Sequence, residues 1–508
     1  MKRFTIPGIV ALALMAQGLT ASAGETFSIA AVADPQYADV PVGWRGGGRE
    51  PEEGVNRLSY AVSQYNQRAL DWGVIVGDII DFDDIDYGNP PPGTPSATGT
   101  QDWSNADAIL GAWDQLNILK YMVLGNHEFY VPNKDVDGLS KPYSVYRKFG
   151  FDQKAYYSFR HKDFRFIVLD GDFCYLNFDP DLPEYQQALD YYNALSGPQK
   201  TWWNAAISVD QRIWLMNALD ESSVLDEPVV IMCHYPIHNP IGHHSLLNST
   251  EMLDIVNGYS NVVMWLNGHN HSGDYALEGR RHHVNLKGMQ NEAENWYEIE
   301  FSPDRVLVYK AEETNTPVHD LDISRPPLTV DPPYGFVATN AAGVASLSWN
   351  AEPAGVTAVV IEARRVPTAE PWQVITTLAL PTGGSYGHTP THPAAEYKYR
   401  IRFEAGAALS RYSEVLSPGE AAETPNPEPY AGLIGWWQFD DGTATNAVDS
   451  SGNGYDLDRV SAAGSWITGK ADGAYNQPRF TANAAESDIL NLAGESSVSL
   501  SVWVPGYI

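Results

Sequence analysis

A chain of 508 residues, at roughly 150 residues per domain, has room for about three domains, each able to bury its own core. Lys and Arg number 32 against 63 Asp and Glu, a formal charge of −31; with no basic run to offset it, this charge disfavours binding to a nucleic-acid backbone. Of the two cysteines, Cys174 and Cys233, each adjoins an apolar run and reads as a buried apolar residue, not as part of a disulfide framework.

The chain opens on Lys2 and Arg3, an apolar stretch from Ile6 to Leu19, and the small-residue pattern Ala21-Ser22-Ala23. This predicts an export signal over residues 1–23, a mature chain from about Gly24, and a secreted, periplasmic or cell-surface location. Pro7, Gly8 and Gln17 interrupt the stretch, it falls short of the ~20 residues that span a bilayer, and no later segment reads as a span. From Phe27 to about Lys310, β-rich runs alternate with helical stretches. Phe27–Ala33, Gly73–Val76, Lys120–Leu124, Phe164–Leu169, Pro228–Cys233 and Asn261–Leu266 read as strands buried on both faces. Between the first two, Leu58, Ala61, Val62, Tyr65, Ala69 and Leu70 recur at helical spacing and predict a helix over Asn56–Trp72. The alternation predicts a layered α/β domain over residues 24–315. The Pro-containing stretch 316–333 reads as a linker, and 334–418, with runs such as Ala345–Trp349, Ala358–Ala363 and Tyr397–Phe403, as a small β-sandwich. A second linker, 419–429, precedes further β-like runs over 430–508.

Five of the apolar runs in the first domain end in the same way. They are followed by Asp34-Pro35-Gln36, Gly77-Asp78-Ile79-Ile80-Asp81, Gly125-Asn126-His127-Glu128, His234-Tyr235-Pro236 and Gly268-His269-Asn270-His271. The carboxyl ends of strands in layered α/β proteins face one crevice, so these loops should converge. Carboxylate, amide and imidazole groups gathered there suit hard or borderline divalent cations. Singly, Gly-Asp and Gly-Asn are more often turn residues, and a lone His more often structural; their joint occurrence at five strand ends outweighs that reading. Cys233 and Tyr235, flanking His234, should point to the opposite face of the strand.

This ordered set resembles the calcineurin-like metallophosphoesterase superfamily. The first motif read as Asp-x-Gln, together with Gly77–Asp81, Gly125–Tyr130, Phe164–Asp170 and His283-Val284-Asn285-Leu286, is similar to the manganese-dependent ADP-ribose/CDP-alcohol diphosphatases. The resemblance implies a layered α/β/β/α sandwich followed by all-β sandwich modules. It implies two divalent metal ions, Mn2+ foremost with Mg2+ or Fe2+ as alternatives, that activate water and neutralise phosphoryl charge. One ion would be held by Asp34, Gln36 and His271, the other by Asn126, His234 and His269, with Asp78 bridging both. His127 would lie against the scissile phosphate as the catalytic group that stabilises the transition state and protonates the leaving oxygen. Asp81 and Glu128 would orient ligands or His127, an ordinary solvated loop position being the alternative for Glu128. Purple acid phosphatases would have Tyr where Asp81 stands, and most of the superfamily has His where Gln36 stands. A neutral amide oxygen there favours manganese or magnesium over zinc.

The implied substrate is a small phosphorylated nucleotide cleaved at its diphosphate linkage. A phosphomonoesterase or phosphodiesterase of the same superfamily is the alternative. An adhesive or carbohydrate-binding exoprotein with a degenerate scaffold is a second alternative, which the complete ligand set argues against. Tyr37, Trp44, Arg45, Arg49, Phe129 and Tyr130 are candidates for stacking on a base or clamping a phosphate. Asn89–Gly99 reads as an inserted flexible loop. Trp349, Tyr397–Arg402 and Tyr412-Ser413 resemble a fibronectin type III domain, read as a spacer. Gly435–Asp440 and Asp449–Gly454 resemble the first half of a laminin-G or concanavalin-like jelly roll, through which the C-terminal modules could contact carbohydrate or a surface.

Overall fold

A computed structural model describes residues 25–419 apart from 43–48, 82–99, 132–133, 136, 239–242, 314, 326–329, 342, 381, 393–395, 407 and 414, and beyond 419 only four short strands. The expected export signal, inserted loop, second linker and C-terminal jelly roll lie outside the described residues.

The first part of the chain builds two mixed six-stranded sheets. Strands β1 (Phe27–Val32), β2 (Trp72–Val76) and β3 (Leu119–Val123) alternate with helices α1 (Gly54–Tyr65) and α2 (Thr100–Trp113). Helix α3 (Tyr143–Lys148) precedes β4 (Tyr157–His161) and β5 (Phe164–Val168). Helices α4 (Pro183–Ala194) and α5 (Val209–Leu225) lead to β6 (Val229–Met232), and α6 (Ser249–Asn257) to β7 (Val262–Asn267). Five strands follow: β8 (Asp274–Glu278), β9 (Arg281–Asn285), β10 (Trp296–Ser302), β11 (Arg305–Lys310) and β12 (His319–Asp322). One sheet runs β12-β11-β10-β1-β2-β3 and the other β4-β5-β6-β7-β9-β8. Among the described residues no helix is long and apolar enough to cross a membrane.

Each of the six apolar runs is a strand, shifted by at most a residue or so at its ends. The helix expected to reach Trp72 stops at Tyr65 instead. Ala69 is exposed, and Asp71 donates its N–H to the Ser28 carbonyl, so the chain has already begun to pair along β1 and Trp72 opens β2. Helical periodicity at Ala69 and Leu70 was thus coincidental.

The two sheets face each other through an aromatic layer. Phe27 of β1 stacks on Phe301 of β10 (ring centroids 5.0 Å) and meets Phe164 and Phe166 of β5 edge-on at 5.7 and 6.2 Å. Trp72 adds edge contacts to Phe166 and Phe159 at 4.8 and 5.3 Å. Rings in edge-to-face contact bury large apolar areas in a fixed orientation, which sets the spacing of the sheets and hence of the loops at their ends. β1 runs parallel to β2, and β5, β6, β7 and β9 run parallel to one another. Within each parallel set, residues just past the last strand position therefore emerge at the same edge. Cys174 and Cys233 are buried free thiols.

Beyond this, strands β13 (Val337–Ala341), β14 (Val344–Ser348), β15 (Ala358–Val366), β16 (Gln373–Ala379), β17 (Ser385–His388), β18 (Glu396–Ala405) and β19 (Ala408–Leu409) form an all-β unit. Its sheets run β13-β14-β17 and β16-β15-β18-β19, with antiparallel neighbours throughout. Leu347, Trp349, Val359, Ile361, Tyr399, Ile401 and Phe403, drawn from both sheets and the chain following β14, make the common core. Tyr412 covers the guanidinium of Arg400 at 3.9 Å, and Arg400 pairs with Glu362 at 2.6 Å, so the charge buried in this core is matched by an acid and a π face.

Candidate metal centre

The five strand-end loops converge. Asp34 N–H donates to the Gly77 carbonyl and Gln36 N–H to that of Asp78, binding the first loop to the second. His127 N–H donates to Asp78 Oδ1 (3.0 Å) and His269 N–H to Asp34 Oδ1 (3.0 Å), which ties in the third and fifth. Gly268 N–H donates to the His234 carbonyl. Asp34, Gln36, Asp78 and His269 hold left-handed backbone, with φ of 50°, 40°, 50° and 66°. Glycines, Gly77 and Gly125 among them, make this crowding possible. A Cβ on Gly77, itself at φ 80°, would lie 2.3 Å from His234 Nδ1, and one on Gly125 would lie 2.4 Å from Asp78 Oδ1.

Two ligand groups share Asp78. Asp78, His234 and His269 present donor atoms within 4.8 Å of one another, and so do Asp34, Asp78 and His271. In the first group His234 Nε2 lies 3.1 Å from both Asp78 Oδ1 and His269 Nδ1. In the second, His271 Nε2 lies 3.6 Å from Asp34 Oδ1. The two amides expected in the set, Asn126 and Gln36, differ in what they present. Asn126 directs its Nδ2 at the Tyr130 hydroxyl (3.3 Å) and keeps Oδ1 as a buried acceptor without a donor. Asp34 Oδ2 is likewise a buried acceptor without a donor. Buried lone pairs in that state are costly unless a donor or cation meets them, so the residues present fit a pair of divalent ions.

Electrostatics point the same way. Burial pushes the Asp34 carboxyl up to about 8, helped by the Asp78 charge and opposed by His234. Asp78 is held well below the usual carboxylate range despite its burial, by the charges of His234 and His127. Burial lowers His269, with His234 beside it, and lowers His271 to about 3, with Arg49 beside it. His234 rises to about 10, the Asp78 charge overcoming burial. Asp34 pushed toward its neutral acid beside an ionised Asp78, with His269 and His271 left as neutral lone-pair donors, is a set that bound cations would hold as carboxylates and ligands.

Gln36 departs from its expected pose. Its Nε2 donates to Asp78 Oδ2 (2.8 Å) and lies 3.2 Å from His271 Nε2, while its Oε1 accepts from the Arg49 guanidinium (2.8 Å). Presenting the oxygen to a cation requires the amide to turn over, which sets its nitrogen against Arg49. Arg49 is a quarter exposed at the mouth and also pairs with Asp81 at 2.6 Å.

His127 Nδ1 lies 3.0 Å from Asp81 Oδ1, which leaves Nε2, 3.8 Å from Asp78 Oδ2, on the side of the metal groups. Glu128 is fully buried, so the solvated-loop alternative is wrong. It accepts the backbone N–H groups of Asp78, Ile79, Ile80 and Gly125 at 2.6–3.2 Å and so staples the second loop to the third. Phe129 and Tyr130 are buried in the core and cannot stack on a base. Trp44 and Arg45 lie outside the described residues. Tyr235 is not turned away from the centre, because β6 ends at Met232 and strand alternation stops there; its ring packs on His269 at 4.4 Å. Asn204, absent from every sequence motif, accepts from His269 Nε2 at 3.2 Å. It sits in an irregular loop with no periodicity to mark it.

Residues 27–273 match the family of calcineurin-like phosphoesterases. Among curated relatives, the manganese-dependent ADP-ribose/CDP-alcohol diphosphatase of Mus musculus is 29% identical over 319 residues, 56% of this chain and 89% of that protein. The Homo sapiens protein of the same name is 27% identical over 322 residues, 57% of this chain and 87% of its own. Among solved structures, a dimetal phosphatase from Danio rerio aligns over 59% of this chain and 98% of its own, at 21% identity and a TM-score of 0.48. Residues 27–273, which carry the paired ligand groups on a layered α/β core, are a calcineurin-like metallophosphoesterase domain, which makes the protein a metallophosphoesterase hydrolase.

Proposed function

We propose that the protein hydrolyses the diphosphate linkage of nucleotide-linked diphosphates of the ADP-ribose or CDP-alcohol class, with two Mn2+ ions. The observation that carries this reading is the Gln36–Arg49–Asp81 cluster beside the shared carboxylate of Asp78. It sets a guanidinium at the mouth, where the second phosphate of a diphosphate would lie, and an amide where most of the superfamily has imidazole. The curated relatives' names support the same substrate class and metal.

Asp34, Gln36 and His271 would hold one ion and Asn126, His234 and His269 the other, with Asp78 between them. Bound there, the ions supply positive charge to phosphoryl oxygens and lower the pKa of water. The chain's own residues do the rest. Arg49 binds the outer phosphate and resists its departure before reaction. Asp81 accepts from His127 Nδ1–H and steadies the imidazolium form, whose Nε2–H would face the reacting phosphoryl group and give its proton to the leaving oxygen as the P–O bond breaks. Buried Phe129 and Tyr130 wall that side against water.

The test is product analysis. The full chain is incubated with Mn2+ and separately with ADP-ribose, CDP-choline, a cyclic nucleotide and p-nitrophenyl phosphate. The expected result is AMP from ADP-ribose and CMP from CDP-choline, at kcat/KM well above that for the other two. Release of p-nitrophenol as the dominant reaction sinks the diphosphatase reading and leaves a phosphomonoesterase. In the same reading the Lys2–Ala23 segment directs export. The intact mass of the protein recovered outside the cytoplasm should then begin at about Gly24; a product retaining Met1 overturns it.

A further inference from the structure

We infer that Asn204 is a positioning residue that fixes His269 as a ligand through Nδ1, the opposite ring nitrogen from its neighbour His234. This rests on the placing of His269 in the metal centre proposed above. The two imidazoles meet as His234 Nε2 and His269 Nδ1, 3.1 Å apart and both beside Asp78. A ring nitrogen can offer a lone pair there only if its proton sits on the other nitrogen, and a buried N–H needs an acceptor.

For His234 the acceptor is the Val76 backbone carbonyl, 2.9 Å from Nδ1, at the end of β2. Among the described residues, no backbone carbonyl serves His269 in this way. Its Nε2 meets the side-chain oxygen of Asn204 at 3.2 Å. The amide could in principle present nitrogen instead, but its surroundings forbid that. Asn204 Nδ2 donates to the carbonyls of Gln199 (3.0 Å) and His243 (3.2 Å), and turning the amide over would set its oxygen against both.

Asn204 is fully buried, and the loops around it are cross-tied, Leu247 N–H donating to the Ala205 carbonyl. The amide therefore has one orientation, and through it His269 has one tautomer and one ring plane. His269 needs this more than His234 does. Its backbone is left-handed at φ 66°, and the Tyr235 ring that packs on it at 4.4 Å offers a face and no acceptor. Without Asn204 the Nε2–H would be buried and unpaired, and the ring would gain by moving its proton to Nδ1, which removes the lone pair.

The consequence is asymmetric. Losing Asn204 should weaken the ion shared by His234, His269 and Asn126 and spare the one at Asp34, Gln36 and His271. The test uses the full chain as wild type and as Asn204→Leu, which keeps the side-chain volume and removes the acceptor. Mn2+ binding is titrated by electron paramagnetic resonance, and circular dichroism confirms the fold. Affinity for one of two ions should fall about 10–100-fold, the range for loss of a partner to a ligand histidine, with the second ion held as before. Unchanged affinity for both ions, or equal loss of both, overturns the inference.

A second measurement needs no variant. In 15N-histidine-labelled wild type loaded with Zn2+, long-range 1H–15N spectra should show His269 protonated at Nε2 and metal-bound at Nδ1, its signals identified by their loss in His269→Gln. Protonation at Nδ1 overturns the proposal even if Asn204→Leu does not fold. Failure of the wild type to bind a metal pair would instead remove the metal-centre reading itself, and with it this one.

Discussion

Replacing His127 with Ala is expected to leave two metal ions bound and to slow the chemical step by about 10²–10⁴-fold, the contribution typical of a positioned acid-base group. His127 lies in neither ligand group; it faces Asp81 through Nδ1 and the metal groups through Nε2. The size of the loss should depend on the leaving group. A departing phosphate, with a second pKa of about 6, gains less from a proton than a more basic alkoxide does. Rates for a series of leaving groups should therefore diverge between wild type and His127→Ala as leaving-group basicity rises. A loss equal across the series would make His127 a stabiliser of phosphoryl charge alone, and loss of metal would make it a ligand.

Exchanging Asp78 for Asn is expected to abolish paired metal binding, and activity with it. Asp78 is common to both ligand groups, and its two oxygens face different members: Oδ1 lies beside His234, and Oδ2 accepts from Gln36. The effect should exceed the roughly 10–100-fold seen when only a partner of a ligand is lost. Thermal unfolding shows it without an assay. Ions at about 1,000 times their Kd stabilise the folded state by about 4 kcal/mol, a rise in Tm on the order of 10 °C for a domain of this size. That difference between Mn2+ and EDTA should be present in wild type and absent in Asp78→Asn. Its persistence in the variant would show that the pair is held without a bridge.

How much of this was legible in the sequence differs from residue to residue. Five of the six strands were readable because strands covered on both faces must be mostly apolar, and the motifs followed because each stands just past such a run; β3, at the sheet edge, is only half-buried over Leu119–Met122 and was found by its apolar residues alone. β8 was not readable, since its Tyr275 and Leu277 are exposed and no apolar run marks it. Glu128 looked like one more acid in a turn; only the folded chain shows the backbone N–H groups it collects from two loops. Asn204 carried no signal at all. Its role depends on carbonyls contributed by Gln199 and by the distant His243, and backbone acceptors have no spelling in a sequence.

The left-handed backbone at the ligands has a consequence for how such a protein changes over generations. Gln36 and His269 carry side chains that disfavour φ of 40° and 66°, a strain on the order of 1–3 kcal/mol each, and glycine at either position would relieve it. Backbone strain of this kind therefore sits at the positions proposed to bind metal. A gene copy released from catalysis would gain nothing from that strain, and these positions would be free to drift. A lineage that keeps them keeps the strain for the benefit of the reaction.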